Sequence, residues 1–425
     1  MSRSCHDFPD KFCTVENDSL KMVRILHLSY DYSDKPNDKK TIAVRALVDQ
    51  TRKIADVKVI SLDRVIRFGF EETEVTASGD LAIKSFGLPY SLFFQSGLYR
   101  TYKTILKADR EGLIDLHAID LIHAHKITFE GYVGYLLSRK LDVPLFVSIR
   151  QTDILLLRAR PDLRYIARRI MASSSKIFYI VPYMVESIKK ILGKNFFENH
   201  IKEKLVFLPN IVERRMNPGH SHSQKGVLLT ALHMTRKTVK RKNIKNLLRA
   251  ISNLKRRDLM LHVIGGGDYL TEVKEWAKKY QLISQVKFLG SISNSEMDRY
   301  FAESAAFVLP SYSETFGYVY AEALLNGTPI LYSKGTGFDG MFENVGVAVD
   351  PHSPRSIEKG LIELIEKNDF FRAEILKLQG NNAFHIFRPD KVRDRYLKCL
   401  QEFFKATYFI SSRSQSKISK ELLAL

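Results

Sequence analysis

The sequence predicts an α/β protein built from two doubly wound parallel-sheet domains that face one another across a cleft. Three observations lead there. Short apolar runs alternate with helical stretches, the alternation restarts once in the second half, and 425 residues leave room for two domains of ordinary size. Met22 to Ser29 opens the chain's folded part as a buried strand, with Thr41 to Ile54 as the helix after it. Val57 to Leu62, Asp120 to His125, Pro144 to Ile149 and Ile177 to Val181 continue as strands, with helices at Gly131 to Arg139 and Leu163 to Met171 between them. From Pro209 to His222 the composition turns polar and holds Pro218 and Gly219, the mark of an interdomain linker. Strands then recur at Val227 to Ala231, Leu259 to Gly265, Val286 to Gly290, Ala305 to Leu309 and Thr328 to Tyr332. The resulting division is an N-terminal extension over 1–21, a first domain over 22–215 and a second over 216–386, then a helix over 387–410 and a tail over 411–425.

Composition narrows the class. With 45% hydrophobic and 27% charged residues the chain is expected to fold and to be soluble. The first ten residues hold no apolar leader region, and no stretch reaches the eighteen or so uncharged apolar residues of a spanning helix. Cys5, Cys13 and Cys399 are too scattered for a disulfide framework or a metal cluster, so a cytoplasmic setting is expected. The formal charge of +19 points to an anionic partner, and both halves share the excess. Arg236 to Arg257 carries ten basic residues and no acid. As a helix, Asn243 to Leu254 turns Ile244, Leu247, Leu248 and Ile251 inward and its bases outward, which makes much of that run a solvated face.

The most informative segment is Pro310-Ser-Tyr-Ser-Glu314-Thr-Phe-Gly317-Tyr-Val-Tyr-Ala-Glu322-Ala-Leu-Leu-Asn-Gly327-Thr-Pro329. It follows a predicted buried strand and runs into a helix, Tyr318 to Leu325, that Gly327 and Pro329 end. A strand, loop, helix junction turns unpaired amides and the positive end of the helix dipole toward the crevice, where an anion fits. Gly317 lets a ligand approach the backbone, and Glu314 and Glu322 offer two acceptors for hydroxyl groups. The plain alternative is a solvated helix with two unrelated acids.

This string resembles the E-x7-E signature of retaining glycosyltransferases of family 4, the glycosyl transferases group 1, which have the GT-B fold. The resemblance implies that Glu314 contacts hydroxyls of a donor sugar and Glu322 the nucleotide ribose, with backbone from Thr315, Phe316, Gly317, Tyr318 and Val319 around the diphosphate. It continues through Leu261 to Asp268 and Val286 to Gly290, and so covers residues 227 to about 350 well. Gly265 and Gly266 then form a turn near the nucleotide, and Phe288, Leu289 and Gly290 border the base. The family's diphosphate-binding Arg and Lys align with Arg236, the nearest candidate, and with Lys242. The resemblance also implies a nucleotide-diphosphate sugar as co-substrate, with no cofactor and no metal. Asp31 and Asp34, the one acid pair reminiscent of a metal motif, read as turn caps. Pro389 to Phe404 matches the terminal helix that crosses back to the first domain.

The first domain departs from the family. The glycine loop expected after the first strand reads Asp34 to Lys40, and Arg150-Gln151 stands where a His-Gly pair is usual, with Asp153 kept. His125 is a candidate for a catalytic-side histidine or a satisfied structural group, and Arg150 for a phosphate contact on the acceptor side. Phe86 to Leu106 mixes aromatic and basic residues, as an interfacial segment does, although burial explains the same residues. The expected function is sugar transfer to a hydroxyl of a glycan or a lipid-linked phosphorylated acceptor, in polysaccharide, lipopolysaccharide or capsule assembly. Its expected place is the cytoplasm, peripherally at the inner face of an anionic membrane. The competing readings are a polyanion-binding protein, for which no specific nucleic-acid signature is present, and an epimerase or phosphorylase on the same fold.

Overall fold

The computed structural model describes residues 23–33, 40–65, 70–76, 78–86, 94–214 and 224–404. The first sheet comprises β1 (Arg24–Ser29), β2 (Asp56–Val65), β3 (Glu71–Val75), β4 (Leu81–Phe86), β5 (Leu121–Ala124), β6 (Leu145–Ile149), β7 (Lys176–Tyr179) and β8 (Leu205–Phe207). Their spatial order is β3-β4-β2-β1-β5-β6-β7-β8, parallel throughout except where β3 runs against β4. The second sheet comprises β9 (Gln224–Ala231), β10 (Met260–Ile264), β11 (Val286–Gly290), β12 (Ser304–Val308), β13 (Ile330–Ser333) and β14 (Gly346–Val349). Its order is β11-β10-β9-β12-β13-β14, and every pairing is parallel.

The predicted strands are present and parallel, and the central ones have both faces covered, whereas β11 at the edge of the second sheet is buried only at Val286. β5, β6, β12 and β13 are buried along their whole length, which only sheets flanked by helices on both sides allow. The β3–β4 hairpin was not anticipated. Glu71-Glu-Thr-Glu74 lies on an exposed edge and shows no apolar alternation to read. The interfacial candidate Phe86 to Leu106 divides. Residues 87–93 lie outside the described ones, and the rest opens a helix, Phe94–Arg110, with Leu98, Thr101 and Ile105 buried and Tyr99 exposed. Asp34 and the segment 215–223 also lie outside the described residues.

Helix 389–404 packs on the first lobe, where Val392, Tyr396 and Leu400 join Ile25, Leu47, Phe146 and Phe178 in one apolar cluster. The chain therefore crosses between the lobes twice. The two crossings touch, since the Val212 amide donates to the Phe387 carbonyl at 3.0 Å.

Candidate active site

The second sheet reverses its winding between β9 and β12, which are neighbours, and a crevice must open at their carboxyl ends. Lys242 comes from the segment after β9 and Glu314 from the segment after β12. Beyond β9, Thr235 caps the short helix Arg236–Arg241 by accepting from the Thr238 amide. Lys242 ends that helix, and Asn243 follows in the left-handed region at φ 60°, a conformation asparagine tolerates. The buried Asn243 amide donates to the carbonyls of Pro310 at 3.0 Å and Pro351 at 2.8 Å, and the Tyr312 amide donates to Arg241 O at 2.9 Å. These bonds stitch the two loops together, and the Lys242 ammonium lies against Glu314 Oε1 with both groups nearly buried.

Glu314 is fixed from a third side. Its amide donates to Thr336 Oγ1 at 2.7 Å, and its carbonyl accepts from the Thr336 hydroxyl at 3.0 Å and from the Gly337 amide at 3.1 Å. Gly337 has φ +57°, and a Cβ there would stand 2.5 Å from Glu314 Cβ. Past the buried Phe316, Gly317 caps the helix Tyr318–Leu325 at φ 86°, where a Cβ would meet the Tyr320 ring at 2.4 Å. The amides of the helix's first turn have no intrahelical acceptor, so Tyr318 and Val319 present donors where the Glu314 loop enters the helix.

Glu322, one turn further, meets a residue that sequence reasoning missed. Arg214, from the interdomain crossing, reaches Glu322 Oε2 and Asp298 Oδ1, each at 3.3 Å. Burial raises the Glu322 carboxyl above the ordinary range, and Arg214 opposes that shift. Arg214 sits in a polar stretch read only as a linker, so no local signal marked it. Arg236 is exposed at the first position of its helix.

The glycine turn has a steric cause. Gly265, at φ 122°, would place a Cβ 1.9 Å from Leu232 O, and Gly267, at φ 148°, would place one 2.6 Å from Met234 O. Backbone bonds from Leu232 N to Ile264 O and from Met234 N to Gly266 O hold this loop against the segment leading to Lys242. Gly265 N also donates to Gly290 O at 2.8 Å, which brings Phe288, Leu289 and Gly290 at the end of β11 beside the turn.

On the facing lobe, Arg150 is buried and donates to Asn210 Oδ1 at 2.8 Å, and desolvation pushes its guanidinium below its usual value. Asp153 accepts from Arg150 N, Thr128 N and the Thr128 hydroxyl at 2.7–2.9 Å, so its carboxylate ties two loops together. The lobes touch at the donor loop, where Gln151 Nε2 donates to Ser313 Oγ at 3.3 Å. The Tyr183 hydroxyl bonds to Gln151 on the same contact. His125 belongs to a buried cluster with His27 and His123. His27 Nδ1 and His125 Nε2 share a bond of 2.9 Å, while His123 bonds Tyr396 and Ser148. The three histidines offer nitrogens within 4.8 Å of one another, the one such group among the described residues, but both nitrogens of His123 are already committed. Burial lowers His27 to about 3 and holds His123 and His125 well below the ordinary value. Asp31 pairs with Lys126 at 2.7 Å, and Lys126 stands 4.0 Å from the buried Glu130.

An arrangement of two carboxylates, a lysine and helix-start amides in one crevice suits a ligand with hydroxyls at both ends and a diphosphate between. Residues 231–383 match the glycosyl transferases group 1 family. An uncharacterised glycosyltransferase of Methanocaldococcus jannaschii is 25% identical over 275 residues, 64% of this chain and 72% of that one. The α-monoglucosyldiacylglycerol synthase of Streptococcus pneumoniae is 25% identical over 257 residues, 55% of each chain. Among solved structures, the HepE protein of Anabaena in complex with UDP superposes with a TM-score of 0.59 at 16% identity, over 89% of this chain and all of that one. Residues 231–383, which carry Lys242, Glu314 and Glu322, form a glycosyl transferases group 1 domain of family 4-like type, and the two-lobed chain has the GT-B fold.

Proposed function

We propose that the protein moves a sugar, with retention of configuration, from a nucleoside-diphosphate sugar to a hydroxyl of a glycan or lipid-linked acceptor. The observation that carries this reading is the meeting of Lys242 and Glu314 at the topological switch point, beside the start of the helix Tyr318–Leu325. In the reaction the bond from the anomeric carbon to the diphosphate oxygen breaks and one to the acceptor oxygen forms. The acceptor's proton passes to the departing phosphate. Lys242 and the amides of Tyr318 and Val319 meet the negative charge that develops on that phosphate, and the scheme calls on no metal. Glu314 accepts from the sugar hydroxyls, and Glu322 accepts from the ribose in exchange for its contact with Arg214. The UDP bound by the Anabaena protein supports a nucleotide in the crevice. The diacylglycerol in the name of the streptococcal relative supports a lipid-linked acceptor and a setting in cell-surface glycolipid or polysaccharide assembly. Among the described residues no helix is long and apolar enough to cross a membrane, and a peripheral place on the cytoplasmic face accords with that.

The test is a thermal-shift panel of nucleoside-diphosphate sugars on the purified chain, followed by assay of nucleoside diphosphate released from each hit. Stabilisation by at least one donor, with slow release of its diphosphate, is expected. If no donor stabilises the chain, the reading fails; an anomeric configuration inverted in the product overturns retention.

A further inference from the structure

A second charged feature lies on the first lobe, at the sheet edge formed by β3 and β4. On the helix Phe94–Arg110, Arg100, Lys103, Lys107 and Arg110 recur at spacings of three, four and three residues and so share one face. The opposite face is buried through Leu98, Thr101, Ile105 and Ala108. The four bases line a cavity of about 260 Å³ whose floor includes the buried residues Ser85 and Thr104. Glu71 is the single acid among the lining residues. The next acid on that strand, Glu72, is paired with Lys84 at 3.2 Å. Glu111 also reaches Lys107, at 3.9 Å from an exposed position, so four cations stand against Glu71 in the lining and this one acid at the rim, an excess of positive charge that, with hydroxyl-bearing side chains beneath, forms a seat for a compact anion such as a phosphate group.

The surroundings say which anion. The row of bases runs about 15 Å along the helix, longer than a small anion needs. Tyr99, 44% exposed, stands beside it with the Lys103 ammonium 5.7 Å from its ring centre, and Leu113, 37% exposed, follows the helix's far end. Bases in line with exposed aromatic and aliphatic side chains suit a plane of phosphates over an apolar layer. The cavity also sits at the right edge of the lobe. Ser85 lies near the end of β4 and pairs in register with Glu71, and β4 is parallel to the strands whose carboxyl ends face the crevice.

We infer that this basic groove docks the first lobe on phosphate headgroups of an anionic phospholipid surface, with the crevice's acceptor side toward the membrane. The link to a lipid-linked acceptor rests on the sugar-transfer reading; the docking itself does not.

The experiment is co-sedimentation of the full chain with vesicles of phosphatidylcholine alone, or with about one third phosphatidylglycerol, at low ionic strength. The wild type should sediment with the anionic vesicles only, and less as salt rises. The double variant Lys103→Glu, Lys107→Glu should bind them about thirtyfold more weakly or worse, since each base at such a surface is worth roughly a factor of five. Lys278→Glu with Lys279→Glu, an equal charge change on an exposed helix of the other lobe, should bind within about twofold of wild type. Inorganic phosphate matched to the lipid phosphate should leave binding unchanged. The inference is overturned if the wild type ignores anionic vesicles, if the groove variant still binds them, if the control variant loses as much, or if free phosphate displaces the chain. Donor-induced thermal shifts on the same samples report separately on the crevice, so a chain that binds donor yet ignores vesicles refutes the groove alone.

Discussion

The Lys242 ammonium and the Glu314 carboxylate, 72 residues apart in sequence, lie against each other in a nearly dry crevice. Each group balances the other's charge, and in the proposed reaction the ligand's phosphates would attract the lysine and its hydroxyls donate to the acid. Glu314→Gln keeps the shape and removes the charge. Turnover should fall about ten- to a hundredfold, the worth of one charged hydrogen bond, with the melting temperature nearly unchanged. Lys242→Ala should cost at least as much. The double variant should be far less impaired than the two losses multiplied, because the partners act as a unit. Steady-state rates with a saturating donor check this; a Glu314→Gln variant with normal turnover removes the acid from the site.

Glu322 and Arg214 give a prediction with a sign. Burial raises the Glu322 carboxyl and Arg214 restrains that rise, so removing the guanidinium must raise it further. In the proposed site the ionised acid is the stronger acceptor for a ribose hydroxyl. In Arg214→Gln, nucleotide affinity should therefore fall off with decreasing pH at a higher pH than in wild type. Calorimetric titration of nucleoside diphosphate across pH 5 to 8 reads the shift, and superimposable profiles would refute it. Glu322→Ala should weaken nucleotide binding about tenfold or more and change kcat much less.

Gly337 tests how closely Glu314 is held. Alanine there brings a Cβ to 2.5 Å from Glu314 Cβ in a left-handed backbone. The strain should cost about 1–3 kcal/mol and displace the carboxylate. Gly337→Ala should lower both the urea midpoint and the turnover, whereas Gly335→Ala, with open space at its Cβ, should lower the midpoint chiefly through its own positive φ.

The buried histidines make acid stability predictable. His27 is neutral in the fold down to about pH 3, while an unfolded histidine takes its proton near 6.5. Its contribution is complete above pH 6.5 and is lost as pH falls through that window, at roughly 1.4 kcal/mol per pH unit. His123 and His125 are shifted in the same direction. Urea midpoints should drop steadily from pH 7 to pH 5, and His27→Gln should flatten that slope; an equal slope in the variant would discount the cluster.

Much of this architecture was legible because buried parallel strands leave continuous apolar runs, and Ala305 to Leu309 or Leu145 to Ile149 need no partner to be recognised. The acid pair was legible because Gly317, Gly327 and Pro329 punctuate it locally. The β3–β4 hairpin was invisible, since its edge strand is polar and solvated. Arg214 escaped because its role depends on contacts with Asp298 and Glu322, about a hundred residues away, that no local pattern encodes. His125 stands out alone in the sequence, but its meaning comes from His27 on a neighbouring strand, and registry between strands is a tertiary fact.

The bond from Val212 to Phe387 joins the two lobe crossings side by side. Two covalent tethers that meet at one hydrogen bond put the shortest links between the lobes at a single place, so a hinge there is the lobe motion to expect. Such a hinge would part Gln151 from Ser313, a side-chain contact between the lobes at the Glu314 loop. On the proposed function, loading a donor and releasing the spent nucleotide would both wait on that parting, and its pace would bound how often the protein can turn over.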